Sequence, residues 1–121
     1  MPEISLSVLD GLRIGYALTG SYCTFARSFQ AARELVSAGA SLVPIMSENA
    51  AAVSTQFGTA KENLELLESI SGCRAITTIA DAEPIGPKSL TDLMIVAPCT
   101  SNTAAKLAGV ITDTSVTMAV K

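Results

Sequence analysis

The chain has 121 residues, of which 49% are hydrophobic and 16% charged, and its formal net charge is −3. This length and composition predict a single domain over 1–121 and exclude intrinsic disorder, because an apolar chain of this size buries a substantial core. The acidic balance argues against a nucleic-acid surface, and no apolar run reaches the roughly 18 residues that a membrane-spanning helix needs.

The first part of the chain predicts a strand followed by a helix. Residues 12–18 are apolar and bounded by glycines, as expected for a buried strand. Residues 24–38 predict a helix that ends before Gly39, a residue suited to the left-handed conformation at a helix end. The apolar stripe of this helix consists of Phe25, Phe29, Ala32 and Val36.

The next segments predict a second strand and two helices. Residues 41–46 predict an apolar strand, and Pro44 places it near a sheet edge or at a bulge, because proline cannot donate to a β-ladder. Residues 47–53 predict a short helix with Ser47 as its N-cap. A capping-box pattern, T-A-K-E, predicts a further helix that runs from about residue 60 to residue 70.

The second half continues the alternation. Residues 74–79 predict a short strand, and residues 81–89 predict a loop, because they contain two prolines and a glycine. Residues 93–97 are continuously apolar, which is typical of a central strand in a parallel sheet. Helices are predicted over residues 101–108 and from about residue 113 to residue 120.

This order of elements predicts a three-layer α/β/α fold, Rossmann-like and flavodoxin-like, in which a parallel sheet lies between two layers of helices. The chain stops at Lys121, inside a predicted helix. We therefore expect the domain to be truncated at its C-terminal end.

The absence of histidine excludes several kinds of chemistry. Ser-His and Cys-His catalysis and histidine-containing zinc sites need a residue that the chain does not have. Cys23, Cys73 and Cys99 are far apart in sequence and odd in number, so they predict neither a disulfide framework nor a metal site. Free thiols indicate a reducing, cytoplasmic location.

Three polar turns follow predicted strands and precede predicted helices: residues 19–24, 47–49 and 98–103. Ligands of open α/β sheets bind at the carboxyl ends of the strands, so these turns predict a phosphate-binding rim. The alternative, in which each turn only caps its helix, stays open. Lys106 shares a helix face with Asn102, and it either contacts an anion or is solvated. The chain lacks G-x-G-x-x-G, which disfavours a standard dinucleotide site.

Three segments carry a resemblance to a known family: residues 14–21, 45–50 and 97–108. They resemble the flavoprotein superfamily, which includes the homo-oligomeric flavin-containing cysteine decarboxylases. The last segment is the most specific, because it matches A-P-x-[ST]-x-N-T-x-A-K-L-A. The resemblance implies a three-layer fold, an FMN pocket and a homo-oligomer.

Carried over residue by residue, the resemblance implies two groups of cofactor-binding residues. The turn after the first strand and Ser47 would meet the flavin phosphate, and the turn after residue 97 would line the isoalloxazine ring. Asn102 is the candidate for a catalytic role, because its amide both donates and accepts hydrogen bonds. The full set of expected binding residues is Thr19, Gly20, Ser21, Ser47, Pro98, Thr100, Ser101 and Asn102.

Further segments, at residues 19–24, 56–58 and 82–88, resemble a branch of this superfamily that forms one half of a two-subunit oxidoreductase of spore-forming bacteria. That resemblance implies a small-molecule substrate and a partner subunit that holds NAD(P). The decarboxylases depend on a catalytic histidine, so the chain is not expected to be one of them. Two alternatives stay open: a stand-alone FMN-binding flavoprotein and a non-catalytic scaffold subunit.

Overall fold

The computed structural model describes residues 9–20, 22–55 and 58–121, and these form a parallel sheet with helices on both faces. The strands are β1 (Arg13–Leu18), β2 (Ser41–Met46) and β3 (Leu93–Val96), in the order β2-β1-β3. Strand order reverses at β1, because the chain moves to one side for β2 and to the other for β3. The topological switch point therefore lies between β1 and β3.

Six helices accompany these strands in the part of the chain that the structure describes. Short 3₁₀ turns at Tyr22–Thr24 and Glu83–Ile85 supplement them. The helices are α1 (Phe25–Ser37), α2 (Glu48–Ala52), α3 (Ala60–Ser71), α4 (Ile79–Ala82), α5 (Ser101–Ala108) and α6 (Ser115–Val120).

The core consists of two apolar clusters, one on each face of the sheet. Ile14, Tyr16 and Leu18 of β1 pack on one face with residues of α1 and α3. Ala17 of β1 packs on the other face with residues of α4 and α6, among them Val116. Successive strand residues point to opposite faces, so β1 supplies both clusters. The predicted three-layer fold is confirmed.

Local sequence signals position most of the helices. The Ser47 hydroxyl accepts a hydrogen bond from the Ala50 N–H and caps α2, as predicted. Thr59 and Glu62 form the predicted capping box at the start of α3. The apolar stripe predicted for α1 is wrong at its last residue, Val36. Val36 is exposed and the neighbouring Leu35 packs against the core.

Two predictions for residues 74–89 are wrong. The strand expected over 74–79 is reduced to one bridge, in which the Ile76 N–H donates to the Pro44 carbonyl at 2.8 Å. The chain then leaves the sheet because Thr78 caps α4. The loop expected over 81–89 begins as the end of α4 and a 3₁₀ turn, in which proline is tolerated near the start because no N–H is needed there.

Within the described part of the chain, the strand after residue 92 pairs only with β1. β1 occupies the centre of the described sheet, and β3 lies at its edge with Leu93 47% exposed. An apolar run indicates burial but does not fix the order of strands. Pro44 lies near the edge of the described sheet, as predicted, with only the Ile76 bridge beyond β2, and its unbroken pairing with Tyr16 shows no bulge.

Arg13 and Asp92 join β1 to the start of β3, at the end of the sheet opposite the polar turns. The Arg13 guanidinium donates to the Asp92 carboxylate at 2.9 Å, and the Arg13 N–H donates to the same group. These hydrogen bonds hold the pKa of Asp92 below its usual value. Both side chains are exposed, so this ion pair contributes little to the free energy of folding. Its hydrogen bonds link the starts of the two strands.

The end of α5 places a valine in the left-handed region, with a φ of 58° at Val110. The Ile111 N–H donates to the Lys106 carbonyl at 2.8 Å, which is the closing hydrogen bond of a Schellman motif. Glycine is favoured at such a position, because a β-branched side chain is strained there. Val110 is 77% exposed, so its side chain contributes little burial.

Val110→Gly is therefore expected to raise the free energy of unfolding by about 1 kcal/mol, because it relieves the left-handed strain. Urea denaturation followed by circular dichroism measures the change. Val53→Gly is the matched control. Val53 is also exposed but has an ordinary extended backbone, so glycine there is expected to destabilise the protein. A loss of stability in Val110→Gly as large as in the control would contradict this account.

Candidate functional site

The three polar turns meet at the carboxyl ends of the strands and form an open cleft of about 620 Å³. This volume lies in the range of small-molecule sites. The turn after β1 and the turn after β3 face each other across the switch point, and the turn after β2 closes one side. The residues of these turns that line the cleft include Thr19, Gly20, Ser47, Asn49, Thr100 and Asn102.

Thr19 joins the turns after β1 and β3. Its hydroxyl donates to the Pro98 carbonyl at 2.7 Å and accepts from the Thr100 N–H at 2.9 Å. The Thr19 N–H also donates to the Pro98 carbonyl, at 3.1 Å. Thr19 is only 1% exposed, and these contacts engage its hydroxyl as both donor and acceptor. Thr19 therefore positions the two turns that face the cleft.

In the turn after β3, Asn102 lines the cleft, whereas Thr100 caps the helix that follows. The Thr100 hydroxyl accepts from the Thr103 N–H and caps α5. Asn102 follows in the first turn of α5, where its side chain is exposed and lines the cleft. The division of roles means that the Asn102 amide is not needed to form the helix. The Ala97–Pro98 peptide bond that precedes this turn is cis.

The turn after β2 is tied to α6 by a carboxylate. The Glu48 carboxylate accepts a hydrogen bond from the Ser115 N–H at 3.0 Å, and the Ser115 hydroxyl oxygen lies 3.3 Å from the same carboxylate oxygen. The same hydroxyl donates to the Met46 carbonyl. The carboxylate at the first turn of α6 also interacts favourably with the helix dipole. Glu48 is thus a structural member of the cleft wall.

Tyr22 forms the rim between the first two turns. Its hydroxyl donates to the Asn49 carbonyl at 3.0 Å, and its ring lies 5.3 Å from the ring of Phe25. The sequence places Tyr22 and Glu48 in two of the polar turns but gives neither a role of its own, and it does not place Asp113 in the cleft. Their membership depends on contacts between distant segments, for which the sequence carries no local signal.

The other predicted site residues lie less centrally. Pro98 contributes its carbonyl to Thr19, and Ser101 is exposed outside the residues that line the cleft. Ser21 lies outside the described residues. Cys23 and Cys99 are exposed free thiols, and neither lines the cleft.

Gly20 provides a test of whether the cleft suits a phosphate group. A Cβ on Gly20 would meet only the Tyr22 ring at 3.6 Å, an ordinary contact, and Gly20 does not have a positive φ. Neither packing nor backbone conformation therefore requires glycine. A bare backbone at Gly20 lets a ligand approach closely.

Gly20→Ala is accordingly expected to leave the free energy of unfolding within about 0.5 kcal/mol and to weaken FMN binding about tenfold, because the new methyl group obstructs the phosphate. Fluorescence titration with FMN measures the affinity. Gly86→Ala is the control, since a Cβ there meets nothing within 4 Å and Gly86 does not line the cleft. Unchanged FMN affinity in Gly20→Ala would argue against a phosphate at this turn.

Two other kinds of feature are absent from the described part of the chain. Residues 9–20, 22–55 and 58–121 contain no group of three or more Cys, Asp or Glu side chains placed to hold a metal ion. In the same ranges, no helix is long and apolar enough to span a membrane.

Known proteins are similar to this chain in sequence and in fold. The sequence model of the family described as "Flavoprotein" matches residues 3–121. The B subunit of dipicolinate synthase from Bacillus subtilis (strain 168) is 43% identical over 116 residues, which are 96% of this chain and 58% of the relative. The crystal structure of the B subunit of dipicolinate synthase from Bacillus halodurans C has a TM-score of 0.79 and 32% identity over 93% of this chain and 57% of that one. The chain thus spans a little over half the length of these relatives.

Proposed function

Because the chain belongs to the flavoprotein family, we propose that it acts as the B subunit of a dipicolinate synthase. In this role it takes part in the oxidation of dihydrodipicolinate to dipicolinate during sporulation, in the cytoplasm. The observation that carries the proposal is the cleft at the switch point, where Gly20, Ser47, Thr100 and Asn102 converge. The similarity to two B subunits of dipicolinate synthase over more than nine-tenths of this chain supports it.

The proposed division of labour assigns the nicotinamide cofactor to the A subunit of dipicolinate synthase, the partner of this chain. The chain lacks the G-x-G-x-x-G fingerprint, and its turn after β1 has one glycine, at Gly20. A dinucleotide needs a glycine-rich turn against its pyrophosphate. The cleft of this chain instead offers hydroxyl and amide groups from three separate turns, which suit one phosphate and a planar ring.

FMN is the cofactor that the residues of the cleft fit. Gly20 and Ser47 would hold the phosphate, and Thr100 and Asn102 would line the ring side. When bound, the flavin supplies a planar ring that accepts and returns electrons. Asn102 contributes an amide that donates and accepts hydrogen bonds, so it orients whichever planar group lies beside it.

We also propose that the chain binds the A subunit and further copies of itself. Interface cores are depleted in charged residues, and only 16% of this chain is charged, against about 25% in typical domains. Exposed apolar side chains at Leu93, Val110 and Ile111 support such contacts.

The test is turnover of dihydrodipicolinate with a nicotinamide cofactor, measured for the full chain, for the partner subunit, then for the two together. We expect substantial turnover only in the mixture, and co-purification of the two proteins. Turnover by this chain alone at the rate of the mixture would contradict the proposal. Bound flavin together with no effect of the partner would favour a stand-alone flavoprotein, and no flavin with retained binding to the partner would favour a scaffold.

A further inference from the structure

Lys106 is the one positive charge among the described residues that line the cleft. It lies in the last turn of α5, and its side chain is only 24% exposed. Its ammonium contacts the Asp113 carboxylate, at 3.0 Å from Oδ1 and 3.2 Å from Oδ2. Lys106 is therefore partly buried and paired with a carboxylate, so its ammonium is held at the cleft.

The two carboxylates that line the cleft, Glu48 and Asp113, differ in their hydrogen-bond partners. Glu48 is held by a hydrogen bond from the Ser115 N–H at the start of α6. Asp113 is 57% exposed, and its only described hydrogen bond is to Lys106. The Asp113 end of this ion pair is solvated, so the Asp113 side chain can turn into solvent at small cost. The ammonium is then left facing the cleft.

We propose that Lys106 contributes a charged contact to an oxyanion of the ligand in this cleft and that Asp113 competes with the ligand for its ammonium. The inference rests on the proposed function and names the ligand chemistry that the cleft selects. Lys106 lies one helical turn from Asn102, on the same face of α5. One ligand can therefore meet the amide of Asn102 with a planar ring or carbonyl and the ammonium of Lys106 with a carboxylate or phosphate.

Charge-assisted hydrogen bonds are stronger than neutral ones, so the loss of the ammonium has a measurable effect. Lys106→Gln is expected to raise the dissociation constant of the anionic ligand about tenfold. Asp113→Asn is expected to lower it about threefold, because the competing carboxylate is gone while the size is kept. The double variant should bind as weakly as Lys106→Gln.

The experiment is calorimetric titration of the full chain and its variants with dipicolinate, FMN and riboflavin. Lys61→Gln is the matched control, because Lys61 is exposed on α3 and does not line the cleft. Weakening of dipicolinate alone in Lys106→Gln identifies a carboxylate as the partner of the ammonium. Weakening of FMN, with riboflavin unchanged, identifies the phosphate.

Each contrary result has a distinct meaning. Unchanged affinity for both dipicolinate and FMN in Lys106→Gln would overturn the inference and leave the proposed function standing. An affinity of Asp113→Asn no higher than that of the unaltered chain would overturn the competition by Asp113. Failure of the unaltered chain to bind either ligand would overturn the proposed function and the inference with it.

Discussion

Asn102→Ala is expected to lower the turnover of the reconstituted two-subunit enzyme about 100-fold, because it removes a hydrogen-bonding amide that faces the ligand. The fold should be unaffected. Thr100, and not Asn102, caps α5, and the Asn102 side chain is exposed in the cleft. We therefore expect the free energy of unfolding to stay within about 0.5 kcal/mol of the unaltered value. Steady-state kinetics and urea denaturation measure the two quantities.

Cys99→Ala is the control for Asn102. Cys99 belongs to the same turn, is exposed, and makes only a weak sulfur contact with the Thr100 carbonyl at 3.7 Å. Its replacement should change turnover less than twofold, which is a difference of about 0.4 kcal/mol. Turnover of Asn102→Ala equal to that of the unaltered enzyme, or a larger loss in Cys99→Ala, would remove Asn102 from the site.

Thr19→Val is expected to lower the free energy of unfolding by about 2–3 kcal/mol, although valine keeps the shape of threonine. The substitution removes two hydrogen bonds, to the Pro98 carbonyl and from the Thr100 N–H, in a place that solvent does not reach. The Thr100 N–H is left without that partner inside the protein. The same change releases the turn after β3 from β1, so ligand affinity should fall together with stability.

Thr19→Ser distinguishes the contribution of the Thr19 hydroxyl to stability from that of its methyl group. Serine keeps both hydrogen bonds and loses one buried methyl, so the expected loss is about 1 kcal/mol. If Thr19→Ser is less stable than Thr19→Val, packing and not the hydroxyl accounts for the burial of Thr19. Chemical denaturation of the two variants, side by side, decides between these explanations.

The sequence predicts those parts of the fold that depend on neighbouring residues. The capping residues Ser47 and Thr59 act as predicted, because their hydrogen bonds reach only three residues along the chain. The resemblance to the flavoprotein superfamily is confirmed by the family match over residues 3–121. The position of the Pro44 strand near the edge of the described sheet also agrees with the prediction, because the missing N–H of proline restricts where such a strand can lie.

Other features depend on contacts between distant segments, which local sequence patterns do not predict. Nothing local indicates that Glu48 contacts Ser115, which is 67 positions further along the chain. The sequence predicts that Thr19 binds the cofactor, but its contact with Thr100 spans 81 positions and engages its hydroxyl within the protein. Strand order is a property of the whole sheet, so the apolar run from Leu93 does not show that it pairs with β1 rather than with β2.

Ligands are proposed to bind in the cleft at the switch point between β1 and β3. Backbone amide NMR spectra of the full chain, recorded during titration with FMN, locate the binding site. We expect the resonances of Gly20, Thr100 and Asn102 to shift together and to saturate at one ligand per chain, while the resonance of Arg74, remote from the cleft, does not move. Saturable shifts confined to residues outside the cleft, or no shifts at all, would contradict this proposal.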